Sequence, residues 1–191
     1  MILSDQDIQK EIEAGHISFD PMPDFETQLQ PASMDMRLGN EFRVFNHSRT
    51  PYIDLQRPET FENLTQATFR DEGEPFVIHP HEFVLGIVKE SLTLPDDIAV
   101  RIDGRSSLGR LGIIVHSTAG NISPGFSGQI TLEITNIGMM PVLLYPDMRV
   151  CQYVFHRLEN PSMISYRERK DAKYNYQTSP GESKITEEIK K

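Results

Sequence analysis

With Cys151 as its only cysteine, the sequence has no way to close an intrachain disulfide, which suits a reducing compartment. Basic residues are also in deficit: 19 Lys and Arg stand against 28 Asp and Glu, for a net charge of −9. That deficit excludes a broad nucleic-acid surface, because binding phosphate backbones needs a basic field. A few Arg and Lys gathered in one place would still hold a single nucleotide. No apolar run approaches the roughly 20 residues that a membrane helix needs, so no membrane partner is expected. The first residues, Met1-Ile2-Leu3-Ser4-Asp5, carry neither a basic n-region nor a long apolar stretch. No signal peptide is therefore expected, and the expected location is cytoplasmic. Internal repeats are missing too, and 191 residues fit one domain over 1–191 that buries enough surface to fold without staples.

What is present begins with a helix signal. Ser4 can cap, Asp7 sits three residues on, Ile8 and Ile12 share a face, and Gly15 can stop the helix. Pro21, Pro23 and Pro31 then exclude continued helix and suggest an ordered connection. From Met34 the pattern turns strand-like: Met34, Met36 and Leu38 alternate with Asp35 and Arg37, as in a half-buried strand. Short apolar runs follow at 42–45, 76–78, 83–88, 98–102, 113–116, 129–136, 142–145 and 150–155, with a turn at Leu94-Pro95-Asp96-Asp97. The segment 49–74 is a polar excursion with room for one short strand. Pro and Gly punctuate the chain at roughly ten-residue spacing, which favours an all-β sandwich or barrel with minor helices over a parallel βαβ sheet. The stretch from Tyr166 to Lys191 is polar, and beyond Pro180 it reads as mobile.

Two segments carry chemistry. Gly104-Arg105-Ser106-Ser107-Leu108-Gly109-Arg110-Leu111-Gly112 offers small residues that let backbone amides approach an anion, and two guanidiniums as permanently charged, planar donors. It lacks the Gly-Lys-Ser/Thr ending of a Walker loop. The pattern suits a polyphosphate, and it equally suits a tight turn with exposed arginines. Downstream, Ser117-Thr118-Ala119-Gly120-Asn121-Ile122-Ser123-Pro124-Gly125-Phe126-Ser127-Gly128 reads as a loop feeding the run from Gln129 to Asn136. There Ile130, Leu132 and Ile134 share one face, so Thr131, Glu133 and Thr135 share the other. Alternation alone leaves Glu133 either on a solvated face or in a cleft.

The stretches Gly104 to Arg110, Thr118-Ala119-Gly120, Pro124 to Gly128 and Thr131-Leu132-Glu133 resemble, in order and spacing, the dCTP deaminase family of the dUTPase-like superfamily. Gln30 to Gly39 resembles that family's early strand motif, and Tyr166 to Gln177 its C-terminal flap. The resemblance implies a distorted jelly-roll β-sandwich, a homotrimer with intersubunit active sites, and hydrolytic deamination of dCTP. It implies Glu133 as the general base, Ser106 as the group that orients the water, and Arg110 as support for that cluster. Arg105, Ser107, Tyr166, Lys173 and Gln177 would hold the triphosphate, with Mg²⁺ bridging phosphate oxygens and no metal ligand from protein side chains. Gln152 would line the nucleotide site, the backbone of Thr131 and Leu132 would read the base edge, and Phe126 would pack on the deoxyribose. The chemistry fits: adding water at C4 needs one group that takes a proton and returns it, and nearby Arg and Ser donors stabilise charge as it forms.

Within the family some members release dUTP and ammonia, and others also split the triphosphate to dUMP and diphosphate. Ala119 and Gly120 resemble the second type, whereas deaminase-only members can carry a His at the position of Gly120. Ser123 departs from the family's Asp, which contacts the sugar; a serine hydrogen-bonds a hydroxyl but is no base near pH 7. Feedback by dTTP is a further property the resemblance raises. Zinc chemistry of the usual nucleobase deaminases needs a His/Cys/Cys set that a lone Cys151 cannot build. His79-Pro80-His81-Glu82 is a weak metal motif, and His116 reads as structural or as supporting the loop. A non-catalytic nucleotide sensor and a plain dUTPase are the competing readings.

Overall fold

The computed structural model describes residues 1–46, 52–61, 63–116 and 118–189. Ser4 opens helix α1 (Asp5–Glu13): the Asp7 amide donates to the Ser4 hydroxyl at 3.3 Å, and that hydroxyl donates to the Asp7 carboxylate at 2.8 Å. Ile8 and Ile12 are buried, and Gly15 leaves the helix at φ +73°. The proline-rich connection after β1 (Ser18–Asp20) holds a helical turn that composition did not suggest, α2 (Phe25–Gln28). Asp24 caps it by accepting from the Glu26 amide at 3.0 Å, in the gap that Pro23 and Pro31 leave.

Strands then dominate. First come β2 (Leu29–Gln30), β3 (Ser33–Arg37), β4 (Glu41–Phe45), β5 (Thr65–Phe69) and β6 (Phe76–Ile78). Next are β7 (Phe83–Ile87), β8 (Ser91–Thr93), β9 (Ile98–Gly104), the short helix α3 (Ser106–Gly109), β10 (Ile113–Ile114) and β11 (Asn121–Ile122). The series ends with β12 (Ser127–Gly128), β13 (Thr131–Asn136), β14 (Val142–Leu144) and β15 (Arg149–Arg157), before a terminal turn α4 (Thr186–Ile189). The excursion at 49–74 contains one strand, β5, as its composition allows; 49–51 and 62 lie outside the described residues.

Every pairing among the named strands is antiparallel. One large sheet runs β10-β13-β7-β4-β5 and the other β11-β9-β15-β3-β2, with a smaller β1-β8-β12 sheet and a β14-β6 ribbon. Apolar side chains of the two large sheets meet in one buried cluster, Phe42, Val84, Leu132 and Ile134 from the first and Met34, Met36, Tyr153 and Phe155 from the second. This is the all-β sandwich that the strand spacing favours, with the distorted jelly-roll form that the family resemblance implies.

The half-buried reading of β3 is wrong on its polar side. Asp35 is only 3% exposed, because Arg105 and Arg149 reach it at 3.2 and 3.3 Å and Gln28 bonds its backbone carbonyl. Its neighbour Arg37 pairs at 2.6 Å with Glu90, whose side chain is fully buried and also accepts from the Gln28 amide and the Arg37 backbone. Charges enter the interior here only with partners attached. Cys151 is buried beside this network, and burial pushes its thiol well above the usual range, so it stays an unreactive thiol.

Candidate active site

The Gly104–Gly112 segment leaves the end of β9 and turns at once into α3. Arg105 sits in the N-cap position with extended backbone, Leu108 is the buried anchor, and Gly112 brings the turn out at φ +86°. A Cβ at Gly112 would lie 2.6 Å from the Gly138 nitrogen, so this glycine is what lets the turn rest against the β13–β14 connection. The Arg105 guanidinium is not loose: it meets the Asp35 carboxylate at 3.2 Å and donates to the Arg149 carbonyl at 2.9 Å. Ser106 and Ser107 stay exposed beside it. Together with Ser33 and Gln152 they line a shallow polar hollow. Gln152 is tied on both sides, accepting from the Ser33 hydroxyl at 3.1 Å and donating to the Gly104 carbonyl at 3.3 Å.

A second and larger cavity, about 470 Å³, opens on the outer face of β13. Here the choice that alternation left open is resolved: Glu133 is half-buried in the cavity wall, and its carboxylate accepts from the Thr118 hydroxyl at 3.1 Å. Thr131 precedes it on the same face and lines the cavity, while Leu132 is fully buried on the opposite face and is not part of the lining. Ser123 and Ala119 contribute to the loop side, and Gly120 borders a smaller adjoining hollow with Thr118 and His116. Any Cβ at Gly120 would stand 3.0 Å from the Ile102 carbonyl, so that position has little room for a side chain. Phe126 is buried with its ring tilted against Tyr166, centroids 6.0 Å apart, which gives the cavity an aromatic wall. Both His116 ring nitrogens are buried at this wall without a hydrogen-bond partner among the described residues.

The C-terminal segment lies over the same cavity. Tyr176 donates its amide to the Ser127 carbonyl at 2.6 Å, and the Gln129 amide donates to the Gln177 carbonyl at 2.9 Å. The Gln177 side chain donates to the Gln129 carbonyl at 2.7 Å and to the Thr131 hydroxyl at 3.1 Å. Gly128, at φ +137°, makes this approach possible, since a Cβ there would stand 3.0 Å from the Gln177 nitrogen. Beyond Pro180, where the polar composition suggests mobility, Gly181, Glu182 and Ser183 line the cavity, and Glu182 pairs with Arg43 at 2.9 Å. Residues 190 and 191 of this tail, and Ser117 of the active loop, lie outside the described residues.

The residues singled out by sequence therefore fall into two groups within one chain. Glu133, Ser123, Phe126, Thr131, Tyr166, Gln177 and Ala119 surround the large cavity, whereas Arg105, Ser106, Ser107 and Gln152 surround the polar hollow, and the two share no lining residue. Arg110, the C-cap of α3, and Lys173 line neither. Sequence reasoning missed Asp35 and Glu182, whose partners are far away along the chain. Among the described residues no three His, Cys, Asp or Glu side chains gather as a metal cage, and no helix is long and apolar enough to cross a membrane.

A family model described as dCTP deaminase-like matches residues 2–158. The chain is 50% identical over 188 residues to the dUMP-forming dCTP deaminase of Methanothermobacter thermautotrophicus, covering 98% of this chain and 95% of that one. It is 48% identical to the protein of the same name from Methanobrevibacter smithii, covering 96% and 95%. Among solved structures it is similar to the 2′-deoxycytidine 5′-triphosphate deaminase of Agrobacterium tumefaciens, with TM-score 0.63 and 25% identity. That match covers 82% of this chain and 47% of the other, so the chain spans about half the length of that protein.

Proposed function

The chain belongs to the dCTP deaminase-like family, and from that premise we propose that it hydrolyses dCTP in two steps, releasing ammonia and then diphosphate to leave dUMP. The observation that carries this reading is Glu133, a carboxylate held by Thr118 in the wall of a nucleotide-sized cavity with an aromatic side. In the first step water adds to C4 of the cytosine. Glu133 takes its proton and returns it to the exocyclic amine, which leaves as ammonia, so the base becomes uracil. In the second, water attacks the nucleotide phosphorus and the bond to the diphosphate breaks.

Each of the other residues has a part in this scheme. Phe126 packs on the deoxyribose, Ser123 hydrogen-bonds its hydroxyl, and Tyr166, beside Phe126, holds the triphosphate. The backbone of Thr131 and Leu132 reads the base edge. The small residues Ala119 and Gly120 leave the loop side open for the second step. Arg105, Ser107, Lys173 and Gln177 serve the triphosphate, Gln152 lines the nucleotide site, and Ser106 with Arg110 serves the reacting water. Since Ser106 and Arg105 border a different hollow from Glu133, the complete site draws them from a neighbouring copy, in a homotrimer. Mg²⁺ belongs on the triphosphate: the polar hollow offers Arg and Ser donors and only the arginine-paired Asp35 carboxylate, a set that receives a metal-bound nucleotide through the phosphates. Bound there, the ion would neutralise phosphate charge. A cytoplasmic location is consistent with this substrate.

The test is a product analysis, with dCTP and Mg²⁺ incubated with the protein and nucleotides separated by anion exchange over time. Release of dUMP, diphosphate and ammonia without accumulating dUTP is expected. Accumulating dUTP would reduce the activity to deamination and make Ser123 the first position to change to Asp. Unchanged dCTP would leave a nucleotide sensor or a plain dUTPase.

A further inference from the structure

Arg43, Leu85 and Glu133 form one cross-strand row. Arg43 on β4 faces Leu85 on β7 in the ladder, and Leu85 faces Glu133 on β13. Neighbouring strands are about 4.8 Å apart, so Arg43 stands roughly 10 Å from Glu133 on the same face. Onto this row comes a second carboxylate, from the far end of the chain. Glu182 accepts from Arg43 Nη1 at 2.9 Å and from the Thr65 hydroxyl, while Arg43 Nη1 also donates to Thr65 Oγ1 at 2.9 Å. One residue earlier, the Gly181 amide donates to the Thr131 hydroxyl at 3.0 Å, the same oxygen that receives the Gln177 side chain. Gly181, Glu182 and Ser183 thereby become part of the wall of the cavity that holds Glu133.

We infer that Glu182 and Arg43 are positioning residues: a charged latch that fastens the segment after Pro180 over the Glu133 cavity and closes it around a nucleotide. The inference rests on the reading of that cavity as the nucleotide site. Two features of the geometry support it. Thr131 lies two residues from Glu133 on one strand and anchors the tail at two points, so docking of the tail and enclosure of the carboxylate are one event. The Arg43 guanidinium also compensates Glu182, so the tail closes without bringing an uncompensated negative charge beside Glu133. The pair is partly exposed, at 27% and 35% for the two side chains, which leaves it open to screening by salt and free to release.

Glu182→Gln removes the charge at a tail position outside the core. Its KM for dCTP should rise roughly fivefold with a smaller change in kcat, the upper range for a pair this exposed. Amide protection over residues 174–184 in the dCTP complex should fall, with the melting temperature unchanged. Raising NaCl should lift the KM of the natural protein toward that of the variant and leave the variant's KM nearly level. The single reversals Glu182→Arg and Arg43→Glu should each raise KM, and the double reversal should restore KM and protection together. A Glu182→Gln protein with natural KM and natural protection overturns the latch, as does a double reversal no better than the worse single. Binding of dCTP to a Glu133→Gln protein separates this from the larger reading: if dCTP fails to protect the cavity residues there, the site assignment falls, and if it protects them, the latch is judged on its own.

Discussion

A carboxylate that takes a proton from water and hands one to ammonia must be open enough to ionise and enclosed enough to act alone. Glu133, the proposed base, is half-buried in a cavity whose other lining carboxylate among the described residues, Glu182, is compensated by Arg43. Glu133→Gln keeps the shape and the contact with Thr118 but not the basicity. Ammonia release from dCTP should fall by about 10²–10⁴-fold, while calorimetric binding of dCTP stays within a few-fold of normal. Natural turnover in that variant would remove Glu133 from the mechanism.

Asp35 poses the opposite problem. Burial holds its carboxyl above the usual range, and the Arg105 and Arg149 guanidiniums only partly offset this. A raised folded-state value means that the fold favours the neutral acid. The stability this group contributes is full below its unfolded value, near 4, and is lost as pH rises through the raised folded value. Relative to Asp35→Asn, which does not titrate, the natural protein should lose stability over that rise and then run parallel. Denaturant unfolding of both proteins across that pH range checks it, and a difference that grows in favour of the natural protein with pH would contradict it. Asp7 works the other way: its hydrogen bond with Ser4 lowers its value, so its contribution is present above the unfolded value and fades on acidification.

At the scale of elements, much of the architecture is legible from period-two alternation. The runs at 42–45, 76–78 and 142–145 appear as β4, β6 and β14 within a residue, and β13 buries Leu132 and Ile134 as its pattern requires. The Ser4 cap and the Gly15 stop are equally readable, because both depend on local backbone chemistry. What alternation cannot convey is which face a second layer covers. Asp35 sits at a polar position of β3, yet it is buried by Arg149, 114 residues later in the chain. The same holds for Glu182 and Arg43, 139 residues apart, and for the cavity that turns the polar face of β13 from a solvated surface into a site. The Arg37–Glu90 pair extends this to stability, since it fastens β3 to the bend that leads into β8 with a fully buried carboxylate. Arg37→Met would leave the fully buried Glu90 carboxylate without its guanidinium. A loss of about 3–5 kcal/mol of unfolding free energy is expected, measured by urea denaturation. A loss below about 1 kcal/mol would mean that solvent reaches Glu90 and replaces the guanidinium.

For the whole molecule, the separation of Glu133 from the Arg105, Ser106 and Ser107 hollow sets what the proposed trimer has to do. If both hollows acted alone, one would bind a base without arginine donors for its phosphates and the other phosphates without a base. Each copy in a closed ring offers one of the two surfaces to each neighbour, so a cyclic arrangement completes every site at once. This makes a prediction that no single-chain site shares. Glu133→Gln and Ser106→Ala proteins should each be nearly inactive on dCTP. Unfolded together in equal amounts and refolded, they should recover activity, because a site taking Glu133 from one copy and Ser106 from the other finds both intact with a chance of one half times one half, about a quarter. Recovery of that order, read as ammonia release and absent when the proteins are mixed after separate refolding, places the two halves of the site on different copies. No recovery would return Ser106 and Glu133 to the same chain, and would require the α3 turn to move toward β13 when the nucleotide binds.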